Sequence, residues 1–261
     1  MPVPVPEVRY EVNGPVARVT IDREERRNAM SFGVMRELRA AFATARGDDA
    51  VRVLVLTGAG DRAFCAGADL GGIADSSASD VHDARGEVAG LFRDLWSLGK
   101  PSIARVRGYA LAGGFGLALA CDLVVAAEDA VFGTPEIDVG LWPYMISVPL
   151  LRAMSPKQAL ELMMTGRRVD VREARELGIV NRVVPVAELD TAVDELAATL
   201  AAKSPLVMRW GRESFYRVVD MPADDALAYL HAMLSVTSHS EDAAEGVAAF
   251  AEKRPPRWTG R

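Results

Sequence analysis

The sequence predicts an α/β fold built around parallel β-strands. Apolar, β-branched runs alternate along the first half of the chain with segments of helical periodicity. In addition, residues 51–57 (VRVLVLT) are largely apolar, which is typical of a strand buried on both faces of a parallel sheet. Repeated strand–helix units of this kind imply right-handed crossovers and a layered core.

The first half of the chain contains four predicted strands and three predicted helices. The strands are the short β-branched runs at residues 16–21, 51–57, 102–106 and 123–126. The helices place apolar residues at helical spacing, at residues 31–45, 87–98 and 114–120. Residues 71–86 are small, polar and irregular, and we expect a mobile loop there.

The last third of the chain is predicted to be helical. Ser155, Asp170 and Ser240 are candidate N-caps for three of its helices. The predicted helices cover residues 156–164, 171–177, 189–202, 205–218, 224–236 and 241–253. We therefore expect a core of residues 1–200 that holds the functional site, and a helical region of residues 201–261 that forms oligomer contacts.

Composition and charge limit the possible functions. The chain has 261 residues, and 30 basic against 36 acidic side chains give a formal net charge of −6. This balance argues against general nucleic-acid binding, because neutralising phosphates needs a basic face. Cys65 and Cys121 lie far apart in sequence and form neither a disulfide framework nor a CxxC metal site. We expect two buried thiols in a reducing compartment.

The sequence contains no visible export or membrane signal. The first ten residues lack a basic region followed by an apolar one, so no signal peptide is expected. The most apolar run, residues 117–127, is interrupted by Asp122 and is too short to span a bilayer. A cytoplasmic location without a membrane partner is the expectation.

Several familiar motifs are weak or missing. Residues 58–63 formally fit a relaxed dinucleotide fingerprint, but residues 64–67 (FCAG) are a poor start for the helix that a pyrophosphate needs, so we interpret the segment as a turn. There is no GxSxG elbow and no P-loop, and no histidine pair has HExxH spacing. Nothing points to a Ser–His–Asp triad, and we interpret the three histidines as surface residues.

Two stretches of small residues remain as candidates for chemistry. Residues 66–69 (AGAD) and 112–114 (AGG) each follow an apolar strand and let a substrate approach the main chain. The second stretch also stands where a helix begins, so free N–H groups and the helix dipole point outward. Two such donors converging on one carbonyl oxygen would stabilise an enolate or a tetrahedral oxyanion, and losing one typically costs about 2.7–4 kcal/mol.

At these residues the chain resembles the crotonase superfamily, the enoyl-CoA hydratases and isomerases. The motifs occur in the family's order and span essentially the whole chain. Residues 63–70 (AFCAGADL) and 108–126 (GYALAGGFGLALACDLVVA) resemble the family's two oxyanion segments. Residues 132–141 (FGTPEIDVGL) resemble its carboxylate turn, and residues 245–258 (EGVAAFAEKRPPRW) resemble its terminal helix. Residues 22–31 (DREERRNAMS) are a looser match to the segment beside the CoA.

The resemblance implies a crotonase-like spiral of ββα units with a C-terminal helical trimerisation region. Members are usually trimers or dimers of trimers that bind acyl-CoA thioesters without a metal, and CoA is part of the substrate rather than a separate cofactor. By position, the N–H groups of Ala68 and Gly113 form the oxyanion hole. The implied CoA contacts are Ala66, Asp69 and Leu70 along the adenine and pantetheine path, Arg26 at a phosphate, and Phe250 and Lys253 from a neighbouring subunit.

The chain departs from the family pattern at two places. Hydratases of this family that use two carboxylates carry one glutamate shortly after the second oxyanion segment and another 20 positions later. Here those positions are Gly116 and Glu136, and glycine cannot activate water or exchange a proton. Bulky Trp142 and Tyr144 also replace a stretch that is commonly small and Gly-rich. Both aromatic residues are interpreted either as acyl-pocket residues or as core.

Glu136 is the predicted acid–base residue. Burial of its carboxylate in an apolar pocket covered by CoA would raise its pKa towards the working pH. The alternative is an exposed glutamate in a turn. Asp138 is a secondary candidate, although strand-like alternation with Glu136 would turn it the other way.

A single carboxylate favours a 1,3-proton shift, in which Glu136 takes a proton from the α-carbon of the thioester and returns it at the γ-carbon. We therefore expect double-bond isomerisation of an enoyl-CoA first, with weak or substrate-specific hydration second, in fatty-acid or related acyl-CoA metabolism. The alternatives are an acyl-CoA-binding member with little catalysis, or a CoA-thioester hydrolase or decarboxylase.

Overall fold

The computed structural model describes residues 6–69 and 78–261. Its strands are β1 Val8–Asn13, β2 Val16–Ile21, β3 Val53–Gly58, β4 Ala63–Cys65, β5 Ser102–Val106, β6 Tyr109–Leu111, β7 Leu123–Ala127, β8 Val131–Gly133, β9 Arg168–Asp170 and β10 Arg182–Val184. Its helices are α1 Phe32–Gly47, α2 Ala78–Trp96, α3 Gly113–Ala120, α4 Ser147–Ala153, α5 Pro156–Thr165, α6 Val171–Glu176, α7 Leu189–Ala201, α8 Pro205–Val218, α9 Ala223–Ser238 and α10 Glu241–Ala251.

The strands form two sheets that the chain visits in turn. One sheet has the order β1-β2-β3-β5-β7-β10, and the other has the order β4-β6-β8-β9. The pairs between β3, β5 and β7 are parallel, as are those between β4, β6 and β8. Successive strand pairs therefore add one strand to each sheet, with α2 and α3 between them, and this is the predicted spiral of ββα units.

The larger sheet is buried on both faces at its centre, as the apolar run after residue 50 predicts. Val53 and Val55 of β3 pack against α7 in one apolar cluster. Leu54 and Leu56 point to the opposite face and belong to the main core. This division follows from the alternation of side chains along a strand.

The predicted loop at residues 71–86 is wrong for its second part, because α2 begins at Ala78. Residues 71–77 lie outside the described part of the chain. Val88, Leu91 and Leu95 are buried at helical spacing, and Arg39 forms ion pairs with Glu87 and Asp94. Once this anchored part is helical, extending the helix through polar residues costs little compared with starting a new one.

The C-terminal helices begin where their capping residues predict. Ser155 accepts a hydrogen bond from the backbone N–H of Gln158 in a complete capping box. Asp170 and Ser240 accept backbone N–H groups at the start of α6 and α10. Among the described residues, no helix is long and apolar enough to cross a membrane. Both cysteines are free and buried, as expected.

Candidate active site

Three neighbouring strands bring the predicted functional segments together. The strands β4, β6 and β8 lie side by side and parallel, so their carboxyl ends meet at one edge of the smaller sheet. Residues 66–68 follow β4, residues 112–114 follow β6 and residues 134–136 follow β8. We call the first two the oxyanion segments. The backbone N–H of Ala112 donates to the carbonyl of Gly133 at 2.9 Å, which joins the second segment to the third.

The first oxyanion segment runs beside the chain at Met30. The N–H of Met30 donates to Gly67 O at 2.8 Å, and the N–H of Asp69 donates to Met30 O at 2.9 Å. In a parallel bridge of this register the residue between the two partners, Ala68, directs its own N–H away from Met30. Ala68 is exposed, so a ligand can reach this donor.

The second oxyanion segment lies beside the backbone of Ala68. A Cβ built on Gly113 would lie 3.9 Å from the backbone nitrogen of Ala68, and one built on Gly67 would lie 3.6 Å from the nitrogen of Gly113. Gly113 is the first residue of α3, and the first turn of a helix has N–H groups without intrahelical partners. The geometry therefore brings the two predicted donors, Ala68 and Gly113, together.

The close packing of these segments explains their small residues. A Cβ on Gly114 would lie 2.2 Å from the carbonyl oxygen of Cys65, which no real side chain tolerates. Gly67 has φ of +106°, and a Cβ there would lie 2.8 Å from the Cβ of Ala112. Ala112 itself has φ of +50°, a strained conformation for a residue with a side chain, and such strain is concentrated at functional sites.

Glu136 lies in a short 3-10 helix, Pro135–Val139, which we call the carboxylate turn. Its Oε2 atom is buried and has no hydrogen-bond partner among the described residues. Burial raises the pKa of this carboxyl above its ordinary value, against a smaller opposing contribution from a backbone hydrogen bond. The alternative of an exposed turn glutamate is therefore wrong, and a buried carboxylate oxygen follows β8 at the strand edge that carries the oxyanion segments.

Asp138 lies beside the end of α5, and the predicted strand-like alternation does not apply to it. The segment is a 3-10 helix rather than a strand, so the period of two does not apply. A Cβ built on Gly166 would lie 3.1 Å from Oδ2 of Asp138, so this carboxylate covers the C-terminal end of α5.

Two apolar side chains pack closely against Gly116. A Cβ at this position would lie 2.5 Å from Cγ2 of Ile146 and 2.7 Å from Cζ of Phe92, and both side chains are buried. A carboxylate could not be accommodated there without moving them. Neither residue was predicted from the sequence, because they come from α2 and from the turn before α4, which only the tertiary fold brings to α3.

The two aromatic residues after the carboxylate turn have different environments. Trp142 is partly buried and packs against the main core. Tyr144 is 73% exposed, so its interpretation as a core residue is wrong. Their assignment to an acyl pocket stays a prediction.

The predicted CoA contacts are distributed over the surface. Arg26 is exposed at the end of a short turn, while Ala66 donates its N–H to Arg27 O at 3.1 Å. Asp69 forms an ion pair with Arg23 at 3.1 Å. Leu70 lies outside the described residues. Phe250 is 88% exposed and Lys253 is also exposed, so both are accessible to a neighbouring subunit.

Sequence reasoning missed the residues that support the first oxyanion segment. Arg23 and Asn28 lie in a polar stretch that resembles the family only loosely, and their partners are up to 46 positions away in sequence. The only local signal is that asparagine favours left-handed backbone, and Asn28 has φ of +56°.

A cavity of about 560 Å³ lies at the edge of the larger sheet where β3 and β5 begin. It is lined at the amino ends of β3 and β5 by Val51 and Pro101, and none of the predicted site residues borders it. Within residues 6–69 and 78–261, no three His, Cys, Asp or Glu side chains are grouped as metal ligands.

Comparisons with known proteins agree with this geometry. The sequence profile of the family described as Enoyl-CoA hydratase/isomerase matches residues 11–261. The carnitinyl-CoA dehydratase of Salmonella typhi is 40% identical over 254 residues, which cover 95% of this chain and 97% of that protein.

Solved structures show the same relationship. The enoyl-CoA hydratase of Mycobacterium smegmatis is 34% identical with a TM-score of 0.94, and the match covers 97% of this chain and 99% of that chain. That of Bacillus anthracis is 32% identical with a TM-score of 0.93, covering 98% of this chain and 100% of that one. This protein belongs to the enoyl-CoA hydratase/isomerase family and is an enzyme that acts on acyl-CoA thioesters.

Proposed function

We propose that this enzyme shifts the double bond of an enoyl-CoA between the β,γ and α,β positions, with Glu136 as its single acid–base residue. The observation that carries the proposal is the contrast between two positions. Glu136 has a buried carboxylate oxygen without a partner among the described residues, whereas Gly116 is covered by Ile146 and Phe92.

The proposed reaction moves one proton and leaves the composition of the substrate unchanged. The thioester carbonyl oxygen accepts hydrogen bonds from the N–H groups of Ala68 and Gly113. The Glu136 carboxylate removes a proton from the α-carbon of a 3-enoyl-CoA, and the electron pair delocalises over the carbonyl and the double bond as a dienolate. The protonated Glu136 then returns the proton at the γ-carbon, which gives the conjugated 2-enoyl-CoA. The two backbone donors stabilise the negative charge between these steps.

A product assay tests this proposal. Purified enzyme is incubated separately with a 3-enoyl-CoA and with crotonyl-CoA, and the products are separated by chromatography and identified by mass spectrometry. Isomerisation of the first substrate should be faster than addition of water to the second. Rapid hydration of crotonyl-CoA without any conversion of 3-enoyl-CoA would overturn the ranking.

Hydration or dehydration of an acyl-CoA is the second candidate. The observation in its favour is the 40% identity to proteins named carnitinyl-CoA dehydratase. Dehydration also begins with removal of an α-proton, so the oxyanion segments and Glu136 would serve both reactions. The departing hydroxyl group needs a proton, which Glu136 would have to supply alone. The same product assay distinguishes the two reactions.

We further propose that the enzyme is a homotrimer or a dimer of trimers, that CoA enters only as part of the substrate, and that no metal takes part. Exposed apolar side chains on the last three helices support an interface there: Phe215, Leu227, Leu234, Val247 and Phe250. In such an assembly Phe250 and Lys253 would contact the CoA of a neighbour. Light scattering in solution tests the oligomeric state, and a monomer would contradict it. A cytoplasmic location stays a prediction.

A further inference from the structure

We propose that Asn28 is a positioning residue that holds the first oxyanion segment in the geometry needed for Ala68 to donate to the thioester. Asn28 is fully buried, with no exposed surface. Its backbone has φ of +56°, a conformation that asparagine adopts more readily than most residues. Buried polar side chains are normally hydrogen-bonded, and the hydrogen bonds of Asn28 explain its buried position.

The side chain of Asn28 makes three hydrogen bonds to the backbone. Its Nδ2 donates to the carbonyl of Ala59 at 2.9 Å and to that of Ala63 at 2.6 Å. Its Oδ1 accepts the N–H of Arg23 at 3.0 Å. Both donors of the amide are thus used. The surroundings are shaped around it, because a Cβ on Gly58 would lie 2.5 Å from Nδ2.

These bonds act on the strand that leads into the oxyanion segment. Ala63 is the first residue of β4, which is only three residues long and ends directly before Ala66. The pairing of β4 with β6 shifts register between Ala63 and Cys65, so the ladder itself defines the course of β4 weakly. The bond from Asn28 to Ala63 holds the beginning of this strand.

The residues beside Asn28 hold the end of the same segment. Arg27 accepts the N–H of Ala66, and Met30 pairs with the backbone on both sides of Ala68. Asn28 therefore fixes the distance between the turn that carries these contacts and the strand β4 that leads to Ala68. A displaced turn would redirect the N–H of Ala68 without removing it.

Arg23 extends this support. Its backbone N–H is held by Asn28, and its guanidinium contacts Ala29 O at 2.6 Å and Asp69 at 3.1 Å. Asp69 directly follows the proposed donor Ala68. Asn28 thus supports the oxyanion segment on both sides of Ala68. It bonds to Ala63 before the segment, and it holds Arg23, which contacts Asp69 after it.

The inference rests on the proposed role of Ala68, and the test separates the two. Acetyl-CoA labelled with ¹³C at the thioester carbonyl has no double bond to shift, so it reports on the bound carbonyl without turnover. Hydrogen bonds to this oxygen lower its infrared stretching frequency. The test compares the frequency of the bound carbonyl in the wild type, in N28D and in N28G, together with kcat and KM for the preferred enoyl-CoA.

The two variants remove the donors in different ways. N28D keeps the size and the preference for left-handed backbone but turns a carboxylate towards two carbonyl oxygens. N28G keeps the backbone freedom and leaves room for water to bridge Ala59 and Ala63. We expect both to lower kcat, by up to about 100-fold for a displacement near 1 Å, with KM changed much less. The carbonyl frequency should return towards that of free acetyl-CoA.

A matched control separates positioning from stability. S204A removes a buried hydroxyl that caps α8 and donates to Asp242, away from the oxyanion segments. It should lower Tm and leave the carbonyl frequency unchanged. An unshifted carbonyl in the wild type would overturn the proposed oxyanion hole itself. A shifted carbonyl in the wild type that persists in either folded Asn28 variant, with kcat near the wild-type value, would overturn the role of Asn28.

Discussion

The oxyanion segments and the carboxylate turn lie at the same edge of one sheet but are built in opposite ways. The oxyanion segments are main chain packed on main chain, where Gly67 and Gly114 leave no room for a Cβ. The carboxylate turn places one side chain, Glu136, in a stretch whose neighbours Ile137 and Val139 are exposed. The first structure tolerates almost no change, and the second depends on single side chains.

This difference separates the two parts of the proposed reaction, oxyanion stabilisation and proton transfer. In the proposed reaction, stabilising the thioester oxyanion needs only backbone donors, whose placement depends on the close packing around Gly67 and Gly114. Proton transfer needs a carboxylate, which a single substitution adds or removes, as at Gly116. In the proposed reaction the backbone donors therefore bind the thioester, and the carboxylates that are present decide what happens to it.

The largest effect is expected from E136Q. The amide cannot accept the α-proton, and general acid–base catalysis contributes about 10²–10⁴-fold, so kcat should fall by that amount. Binding of acetyl-CoA, measured by calorimetry, should stay within about threefold, because the oxyanion segments are untouched. D138N in the same turn is the control and should keep full activity. Turnover of E136Q near the wild-type rate would remove Glu136 as the base.

G114A should be the next most damaging change. The added methyl would lie 2.2 Å from Cys65 O, so the start of α3 must move and carry Gly113 with it. Loss of one oxyanion donor typically lowers kcat by about 10²–10³-fold. G211A is the matched control, because a Cβ on Gly211 in α8 meets nothing within 4 Å. Equal kcat values for these two variants, from steady-state assays, would show that the tight packing does not matter for catalysis.

Adding the second carboxylate tests whether the reaction depends on position 116. G116E alone should fold poorly, because its side chain collides with Ile146 and Phe92. G116E/I146A removes the contact with Ile146 Cγ2 and gives the Phe92 ring room to turn aside. The ratio of hydration to isomerisation should then rise by about tenfold or more, since a second acid–base group becomes available. I146A alone leaves a cavity that costs about 2–5 kcal/mol of stability, with an unchanged product ratio. An unchanged ratio in the double variant would contradict the division proposed above.

The smallest predicted effect is on stability. Because burial raises the pKa of Glu136, the folded protein holds this proton more tightly than the unfolded chain. The stability it contributes is therefore full below the ordinary pKa of 4.5 and is lost as the pH rises through the raised value. At neutral pH E136Q should melt above the wild type, by about 1–4 °C.

Calorimetry between pH 4 and pH 8 measures this difference, which should disappear towards the acid end. The acid limb of kcat/KM should lie above pH 4.5 for the same reason. A wild type more stable than E136Q at neutral pH would indicate that the Glu136 carboxylate has a partner in solution.

Much of the architecture was predictable from local signals. The strands at residues 16–21 and 102–106 and the helix at residues 205–218 were predicted with their observed bounds. Short apolar runs define the strands, and helical periodicity defines the helix. The first part of α2 was missed, because its polar residues are helical only as an extension of an anchored segment. The very short strands β4, β6, β8 and β9 also carry too little periodicity to be recognised.

The α/β class, the family and the two glycine-rich segments follow from the amino-acid sequence, because they depend on periodicity, on motif order and on small residues. Only the tertiary fold brings Ala68 close to Gly113 and packs Ile146 and Phe92 against position 116. It also buries one carboxylate oxygen of Glu136 and bonds Asn28 to Ala59 and Ala63. Each of these is a contact between residues far apart in the chain. Local sequence carries no record of such partners, since the parallel order of the strands brings them together.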